Sequence, residues 1–96
     1  MAYQFGYKIK ELREKHKLFL RQVAAHLEMD TAQLSKIEKG SRQLKKEQLP
    51  FIAEVLKADL EELQTLWLAD QLFDVIQGEP MADEALKSVT KKLKKK

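Results

Sequence analysis

Apolar residues recur at intervals of three and four along most of the chain, and this spacing predicts helices. One such stripe near the start consists of Phe5, Ile9, Leu12 and His16. These positions share one face of a helix, and basic residues take the other faces. No stretch alternates apolar and polar residues for long, and β-branched residues are few. The pattern therefore predicts an all-α fold.

Glycine, proline and candidate capping residues set the boundaries of six predicted helices. The helices cover about residues 5–16, 20–27, 31–39, 46–57 and 59–77, with a sixth after Pro80. Asp30 or Thr31 is expected to cap the third helix, because either side chain accepts from the free N–H groups of a first turn. Gly40 is expected to end that helix, since glycine is common just beyond a helix end.

The composition indicates one compact domain. The chain has 96 residues, of which 44% are hydrophobic and 34% charged. It contains no cysteine, which excludes disulfides, thiolate metal sites and a cysteine nucleophile. No secretory segment is recognisable, and no apolar run approaches the roughly 18–20 residues of a membrane span. We therefore expect a cytoplasmic protein with no membrane association.

Charge is distributed unevenly along the sequence. Residues 1–46 contain 11 Lys and Arg against 5 acids, residues 47–86 contain 1 base against 10 acids, and residues 87–96 contain 6 lysines and no acid. These segments carry +6, −9 and +6, which together give the net charge of +3. A basic N-terminal half is what a phosphate-binding surface requires, although solvated helix faces have the same composition.

Two short helices joined by a tight turn around residues 28–30 carry the clearest functional signal. Ala24 lies where the two helices approach closely, and a larger side chain there would push them apart. Four apolar residues pin the pair to a common core, namely Val23, Leu27, Leu34 and Ile37. The exposed face of the second helix then remains free. This is the geometry of a helix-turn-helix, whose second helix enters the major groove of DNA.

Residues 23–40 read V-A-A-H-L-E-M-D-T-A-Q-L-S-K-I-E-K-G. This run resembles the helix-turn-helix of phage repressor and Cro-type regulators, the XRE family. The resemblance covers about residues 5–66 and is strongest at Ala24, at residues 34–40, at Arg42 and in the L-x-x-I-A-x-x-L pattern that begins at Leu49. It implies a five-helix repressor-type helix-turn-helix domain, here with an extended helix 5 and a short C-terminal sixth helix.

Four positions depart from the family pattern. Phe19 and Leu20 stand where the family has a polar cap followed by Gln, which removes the usual cap and one phosphate contact. Glu28 replaces the usual Gly or small polar residue of the turn, so the turn is expected to carry backbone strain, and Leu44 replaces a Pro. Arg21 is expected to supply the missing phosphate contact.

The resemblance and the side-chain chemistry together suggest the DNA contacts. Base readout is expected from Thr31, Ala32, Gln33 and Lys36. Glutamine pairs with adenine, lysine reaches guanine O6 and N7, and the alanine methyl suits the thymine methyl. Phosphate contacts are expected from Arg21, Ser35, Lys39 and Arg42. A purely structural or solvated role is the alternative for Arg21, Gln33, Ser35 and Lys36.

Nothing in the sequence indicates catalysis, a metal site or a cofactor. His16 and His26 have no partners at metal-ligand spacing, and no Gly-rich phosphate loop is present. Paired acids such as Glu61 and Glu62 lie in a first helical turn, where the helix dipole favours them. We therefore expect no enzyme activity, no metal and no cofactor.

The fifth helix changes its apolar face halfway along. Asp59, with Glu62 three residues on, has the arrangement of a capping box at its start. At about 100° per residue, one side carries Leu60, Leu63 and Trp67. The nearly opposite side carries Leu68, Leu72, Val75 and Ile76. The first set is expected to complete the core, and the second set needs another cover.

Two covers are open for the second half of this helix: the same helix of a second chain, and the sixth helix folding back. Both can hold at once. The sixth helix offers a thin stripe, Ala82, Leu86, Val89 and Leu93. We favour a homodimer, with Asp70 and Asp74 at its rim. The chain would then comprise a DNA-binding domain over residues 1–66 and a helical C-terminal extension over residues 67–96, with dimerisation and a lysine-rich tail.

The leading hypothesis is a dimeric transcriptional regulator, a repressor or autoregulator, that binds a palindromic operator in double-stranded DNA. The chain is similar to controller proteins of restriction–modification systems, and an antitoxin-type regulator would have the same features. The alternative is a helix-turn-helix fold used as a protein-interaction module without strong base readout. The acidic segment and the departures at Phe19 and Leu20 favour that alternative.

Overall fold

A computed structural model describes residues 3–95 of the chain. Its helices are α1 (Gln4–Lys15), α2 (Leu20–His26), α3 (Thr31–Lys39), α4 (Leu49–Leu56), α5 (Leu60–Ile76) and α6 (Ala82–Lys94), with a 3₁₀ turn at Lys46–Gln48. All regular secondary structure within this range is helical. The predicted all-α fold, with an extended α5 and a separate α6, is confirmed.

One predicted boundary differs in a way that the sequence explains. The fourth helix was expected from about residue 46, but residues 46–48 form a 3₁₀ turn and the α-helix begins at Leu49. Pro50 has no N–H and fixes its own φ, so it fits best in the first turn of a helix. Pro50 lies in that first turn, and the α-helix therefore starts immediately before it.

The start and end of α3 are fixed by local hydrogen bonds. Asp30 is the N-cap, and its carboxylate accepts the Gln33 N–H at 2.7 Å, so Asp30 rather than Thr31 caps the helix. Gly40 ends the helix with φ 82°, and the Ser41 N–H then donates to the Lys36 carbonyl at 3.0 Å. Helix α3 therefore has a defined length and direction.

The turn between α2 and α3 contains the strain that the sequence predicts. Glu28 has φ 55°, a left-handed conformation that glycine adopts more easily than glutamate. The Met29 N–H donates to the Ala24 carbonyl at 3.0 Å and so closes this turn. Ala24 is buried, as a close approach of the two helices requires.

The core lies between the first four helices and the first half of α5. Its buried residues are Phe5, Ile9, Val23, Ala24, Leu27, Leu34, Ile37, Leu44, Leu49, Ile52, Ala53, Leu56 and Leu63. Trp67 packs against this cluster and donates its indole N–H to the Leu44 carbonyl at 2.7 Å. Trp67 therefore belongs to the core edge, and Leu44 occupies the position where the resemblance leads one to expect proline.

At its start, α5 has only part of the predicted cap. The Asp59 carboxylate accepts the Glu61 N–H at 3.0 Å. Among the described residues, no bond joins the Glu62 side chain to the Asp59 N–H, so the reciprocal half of the capping box is missing. Asp59 is confirmed as the N-cap, and the full capping box is wrong.

Helix α6 stands apart from the core. None of its described residues is buried. The radius of gyration of the Cα atoms is 15.1 Å, compared with about 12.5 Å expected for a compact domain of this length. A projecting helix accounts for this difference. The predicted division at residue 66 falls inside α5, which continues unbroken from the core into the extension.

Close packing of α1 on α3 depends on Gly6. A Cβ atom at this position would lie 2.5 Å from the Glu38 carbonyl oxygen and 2.6 Å from the Ile37 carbonyl oxygen. Both neighbours are backbone atoms, so they cannot move aside as a flexible side chain would. Glycine at position 6 therefore sets the distance between α1 and the end of α3.

We expect Gly6→Ala to lower the free energy of unfolding by about 1–3 kcal/mol, because the added methyl forces the two helices apart. In a helix without such a neighbour, the same substitution stabilises by roughly 0.5–1 kcal/mol. Urea unfolding followed by circular dichroism measures the change. Lys10→Ala, on an exposed part of α1, is the control. A stabilised Gly6→Ala variant would contradict the close approach.

Candidate nucleic-acid interface

Helix α3 offers a polar outer face. At about 100° per residue, Leu34 and Ile37 define its buried side, and the residues pointing away from it are Ala32, Ser35, Lys36 and Lys39. We call these four residues the outer face of α3. Ala32, Lys36 and Lys39 are exposed, and Ser35 is half-buried. Neither lysine forms an ion pair within residues 3–95, so both ammonium groups are available to an anion.

The other two predicted base-reading residues lie at the sides of this face. Thr31 is exposed because it occupies the first turn of α3. Gln33 is half-buried and lies about 60° around the helix from Lys36, on the side nearer the core. The structure thus brings Thr31, Ala32 and Lys36 to one open surface and leaves Gln33 at its edge.

The predicted phosphate-binding residues surround the outer face. Lys39 ends α3, and Arg42 follows in the exposed loop after Gly40. Ser35 lines a surface depression together with Tyr7, Lys10 and Lys39. Ser35 therefore faces α1 as well as the outside. This position is compatible with a phosphate contact and with a purely structural role.

Arg21 occupies a site shaped by the unusual residue before α2. Its guanidinium carbon lies 4.6 Å from the centre of the Phe19 ring, a cation–π distance. Both side chains are exposed. Phe19 itself has no side-chain acceptor, but the Gln22 side chain accepts the Phe19 backbone N–H at 2.7 Å. Gln22 thereby supplies half of a cap, although this chain lacks the polar cap residue of the family pattern, and the Arg21 guanidinium packs over the Phe19 ring.

An ion pair inside the domain fixes α3 against α1. The Arg13 Nε donates to one Glu38 carboxylate oxygen at 2.7 Å, and its Nη2 donates to the other at 3.2 Å. The Nη1 of the same guanidinium donates to the Leu18 carbonyl at 3.0 Å. The hydrogen bonds with Glu38 raise the pKa of Arg13 above its ordinary value, in spite of partial burial. Arg13 thus joins α1, α3 and the loop before α2.

The first turn of α1 is capped from a distant part of the chain. Tyr3, the residue before α1, provides no side-chain cap. Instead, the Asp70 carboxylate of α5 accepts the N–H groups of Gln4 at 3.1 Å and Phe5 at 2.9 Å. The negative charge also lies at the positive end of the α1 dipole. Asp70 therefore connects α5 to the domain that carries α3.

Asp74 makes a second connection, one turn further along α5. Its carboxylate accepts the Tyr3 hydroxyl at 2.8 Å. This bond is the main reason why the pKa of Tyr3 is raised. Repulsion between the Asp74 carboxylate and a Tyr3 phenolate raises the pKa further. The expectation that Asp70 and Asp74 form the rim of the apolar patch is wrong, since both carboxylates turn towards α1. Sequence reasoning missed this because the pairing joins residues about 65 to 71 positions apart.

Three of the four predicted dimer residues are exposed in the described part of the chain. Leu68 is 53% exposed, Leu72 46% and Val75 74%, and Ile76 is half-buried. We call Leu68, Leu72, Val75 and Ile76 the α5 patch. Phe73, at its side, is 39% exposed and was not singled out from the sequence. Part of α6 approaches the C-terminal end of α5, where Leu86 lines a shallow groove together with Leu72, Phe73 and Ile76.

Residues 3–95 contain neither a cluster of metal ligands nor a helix that could span a membrane. Across residues 3–95, His, Asp and Glu nowhere gather in groups of three or more that could hold a metal ion. Nor does any helix in this range have the length and apolar character needed to cross a bilayer.

We expect Glu38→Ala to lower the free energy of unfolding by about 3 kcal/mol, because it leaves a partly buried guanidinium without its acidic partner. Glu11→Ala is the matched control, since Glu11 forms a surface pair with Lys8 at 3.6 Å. Its loss should cost less than about 1 kcal/mol. The double variant Arg13→Met/Glu38→Leu should be more stable than Glu38→Ala. Denaturant unfolding measures all three, and equal losses for Glu38→Ala and Glu11→Ala would contradict the role of the Arg13–Glu38 pair.

Comparison with known protein families gives a match over the helices that form the core. Residues 4–66 match a family model described as a helix-turn-helix domain. This match includes α1 to α4 and the first part of α5. Searches of curated proteins and of solved structures find no match to the chain.

Proposed function

Because the chain belongs to the helix-turn-helix domain family, we propose that it is a sequence-specific, dimeric DNA-binding transcriptional regulator that reads the major groove with α3. The family is typically a non-enzymatic DNA-binding module, and DNA is the partner that this domain suggests. The observation that carries the proposal is the exposed outer face of α3, on which Lys36 and Lys39 lack an acidic partner among the described residues.

The proposed reading begins with the side chains of α3. A helix in the major groove presents its exposed residues to the edges of the bases. Lys36 has the charge and length to reach guanine O6 and N7, and the Ala32 methyl suits contact with a thymine methyl. Thr31 and Gln33, at the two sides of this face, offer further hydrogen bonds. Thr31, Ala32, Gln33 and Lys36 are therefore the proposed base-reading set.

Phosphate contacts would fix the orientation of α3. Lys39 and Arg42 lie at the C-terminal end of α3, where the chain would run along the sugar–phosphate backbone. Arg21, held over Phe19, and Ser35 complete the proposed phosphate set. Three cations around the helix supply the electrostatic attraction that dominates affinity for DNA.

A homodimer through the α5 patch would place two copies of α3 on one duplex. Complete burial of a Val, Leu or Ile side chain is worth about 1.5–3 kcal/mol, so the open patch gains substantially from a symmetric partner. Two copies of α3 spaced by about one helical turn, roughly 34 Å, would read a palindromic operator. Such a dimer bound over a promoter excludes other proteins from it, which favours a repressor or autoregulator acting in the cytoplasm. A controller-type or antitoxin-type role would use the same contacts.

We expect Lys36→Ala and Gln33→Ala each to weaken binding to the preferred site by about 1–3 kcal/mol and to relax preference at one or two base pairs. Selection of bound duplexes from a random pool gives the preferred site, and fluorescence anisotropy gives the affinities. Lys15→Ala is the control, because Lys15 is exposed on the side of α1 that points away from α3. Gly6, on the opposite side of α1, is the residue that packs against α3. An unchanged motif and affinity in the double variant would contradict base readout by α3 and favour a protein-interaction module.

Arg42→Ala should weaken binding almost equally for all DNA sequences, because a phosphate contact carries no base information. It should also reduce the slope of log affinity against log salt concentration by about one unit. Titrations at four or more salt concentrations, on the preferred and on a scrambled duplex, measure both effects. If base preference changed while the slope stayed constant, Arg42 would belong with the base-reading residues.

Leu72→Glu with Ile76→Glu should produce helical monomers that lose most affinity for the palindrome, because the two acids place charge in the proposed interface. Gln64→Glu with Gln77→Glu is the matched control, since it adds the same charge at exposed polar positions at α5 and its C-cap. Sedimentation gives the oligomeric state and circular dichroism the helicity. A wild-type monomer at micromolar concentration, or a dimer that survives the patch substitutions, would overturn the proposed interface.

A further inference from the structure

Helix α6 has a clear division between an apolar and a basic side. At about 100° per residue, its apolar stripe is Ala82, Leu86, Val89 and Leu93. Lys87, Lys91 and Lys94 occupy the opposite side. An amphipathic helix of this kind ordinarily buries its stripe. Here the stripe is open, because Val89 is 49% and Leu93 61% exposed.

The chain covers only one end of this stripe. Leu86 lines the shallow groove formed with Leu72, Phe73 and Ile76 at the C-terminal end of α5. Val89 and Leu93 lie beyond this groove and remain exposed. The connection from α5 to α6 contains Gly78 at φ 77° and Pro80, and no described residue of the α6 that follows is buried. Two apolar surfaces of one chain are thus left largely open, namely the outer part of α6 and the part of the α5 patch formed by Leu68 and Val75, which are 53% and 74% exposed.

Charge favours placing these two surfaces together. The exposed acids Glu61 and Glu62 lie in the first turn of α5, and Glu61 points to the same side of the helix as Leu72. The last turn of α6 carries Lys91, Lys92 and Lys94, none of which forms an ion pair in the described chain. A helix crossing the α5 patch towards the start of α5 would bring its C-terminal turn close to the two glutamates, with Lys92 at the flank of the stripe as the nearest cation.

Resting on the dimer proposed above, we propose that α6 is an exchanged arm that packs Val89 and Leu93 on the α5 patch of a second copy of this chain. Leu86 stays in its own groove, so α6 need not leave its observed position. The arm of each protomer covers the patch of the other, as the two-fold symmetry of a homodimer requires. The interface is then built from α5 and α6 of both chains rather than from α5 alone.

The absence of cysteine from the sequence makes a cross-linking test direct. One full-length chain, carrying an affinity tag that changes its mobility, receives Leu68→Cys. An untagged full-length chain receives Val89→Cys or, in a parallel experiment, Leu93→Cys. The two chains are mixed, allowed to exchange, and oxidised with glutathione disulfide. A disulfide forms only where Cβ atoms approach to about 3.5–4.5 Å. The matched control replaces Val89→Cys with Lys91→Cys, on the opposite side of α6.

The exchanged arm predicts a disulfide-linked heterodimer with Val89→Cys or Leu93→Cys and little with Lys91→Cys on a non-reducing gel. A single chain carrying both Leu68→Cys and Val89→Cys that closes its disulfide internally would show α6 folded back on its own chain, and would overturn the exchange. No link at either stripe position in a preparation that sediments as a dimer would overturn the arm and leave the dimer proposed above intact. A monomer by sedimentation would overturn both the exchanged arm and the dimer. DNA binding by α3 is tested separately, by the affinity measurements on the α3 variants.

A second variant pair tests the arm without cross-linking. Val89→Lys should raise the dissociation constant of the dimer at least about tenfold, because it places an ammonium group in the apolar contact. Ser88→Lys adds the same charge on the adjacent exposed position and should change that constant less than about twofold. Equal effects from the two substitutions would overturn the packing of the stripe on a second copy.

Discussion

The contact between α1 and α3 is the constraint on which the proposed DNA-binding surface depends. Gly6 lets the backbones of the two helices touch, and the Arg13–Glu38 pair then joins them through two hydrogen bonds. A long, flexible ion pair on the surface would let α3 change its angle relative to α1. Here the guanidinium also holds the Leu18 carbonyl, so the loop before α2 is fixed by the same group. The direction of α3 is therefore set by short-range contacts with little freedom.

The sequence predicted this region well because most of its information is local. Asp30, Gly40 and Pro50 act on their own neighbours in the chain, so their effects on helix ends follow from residue type. The apolar spacing identified the buried faces of α1 and α3 for a similar reason. Gln33 shows the limit of this reasoning, since its place at the edge of the outer face depends on the angle at which α3 packs.

Contacts between distant residues were beyond the reach of pattern analysis. Asp70 and Asp74 were assigned to the rim of a dimer patch because they are charged and lie among apolar residues. Both instead face α1, where Asp70 caps the first turn and Asp74 accepts the Tyr3 hydroxyl. Helical phase places them opposite Leu72. However, only the packed domain shows that the free N–H groups of the first turn of α1, on Gln4 and Phe5, lie next to that side of α5.

Helix α5 consequently serves two parts of the molecule with two different sides. Its inner side contributes Leu63 and Trp67 to the core and Asp70 to the end of α1. Its outer side carries the α5 patch. A rigid helix cannot turn one side without turning the other, so any partner bound to the patch takes a fixed orientation relative to α1. Since α1 is locked to α3, the geometry of a dimer through this patch would directly determine the spacing and angle of two α3 helices on DNA.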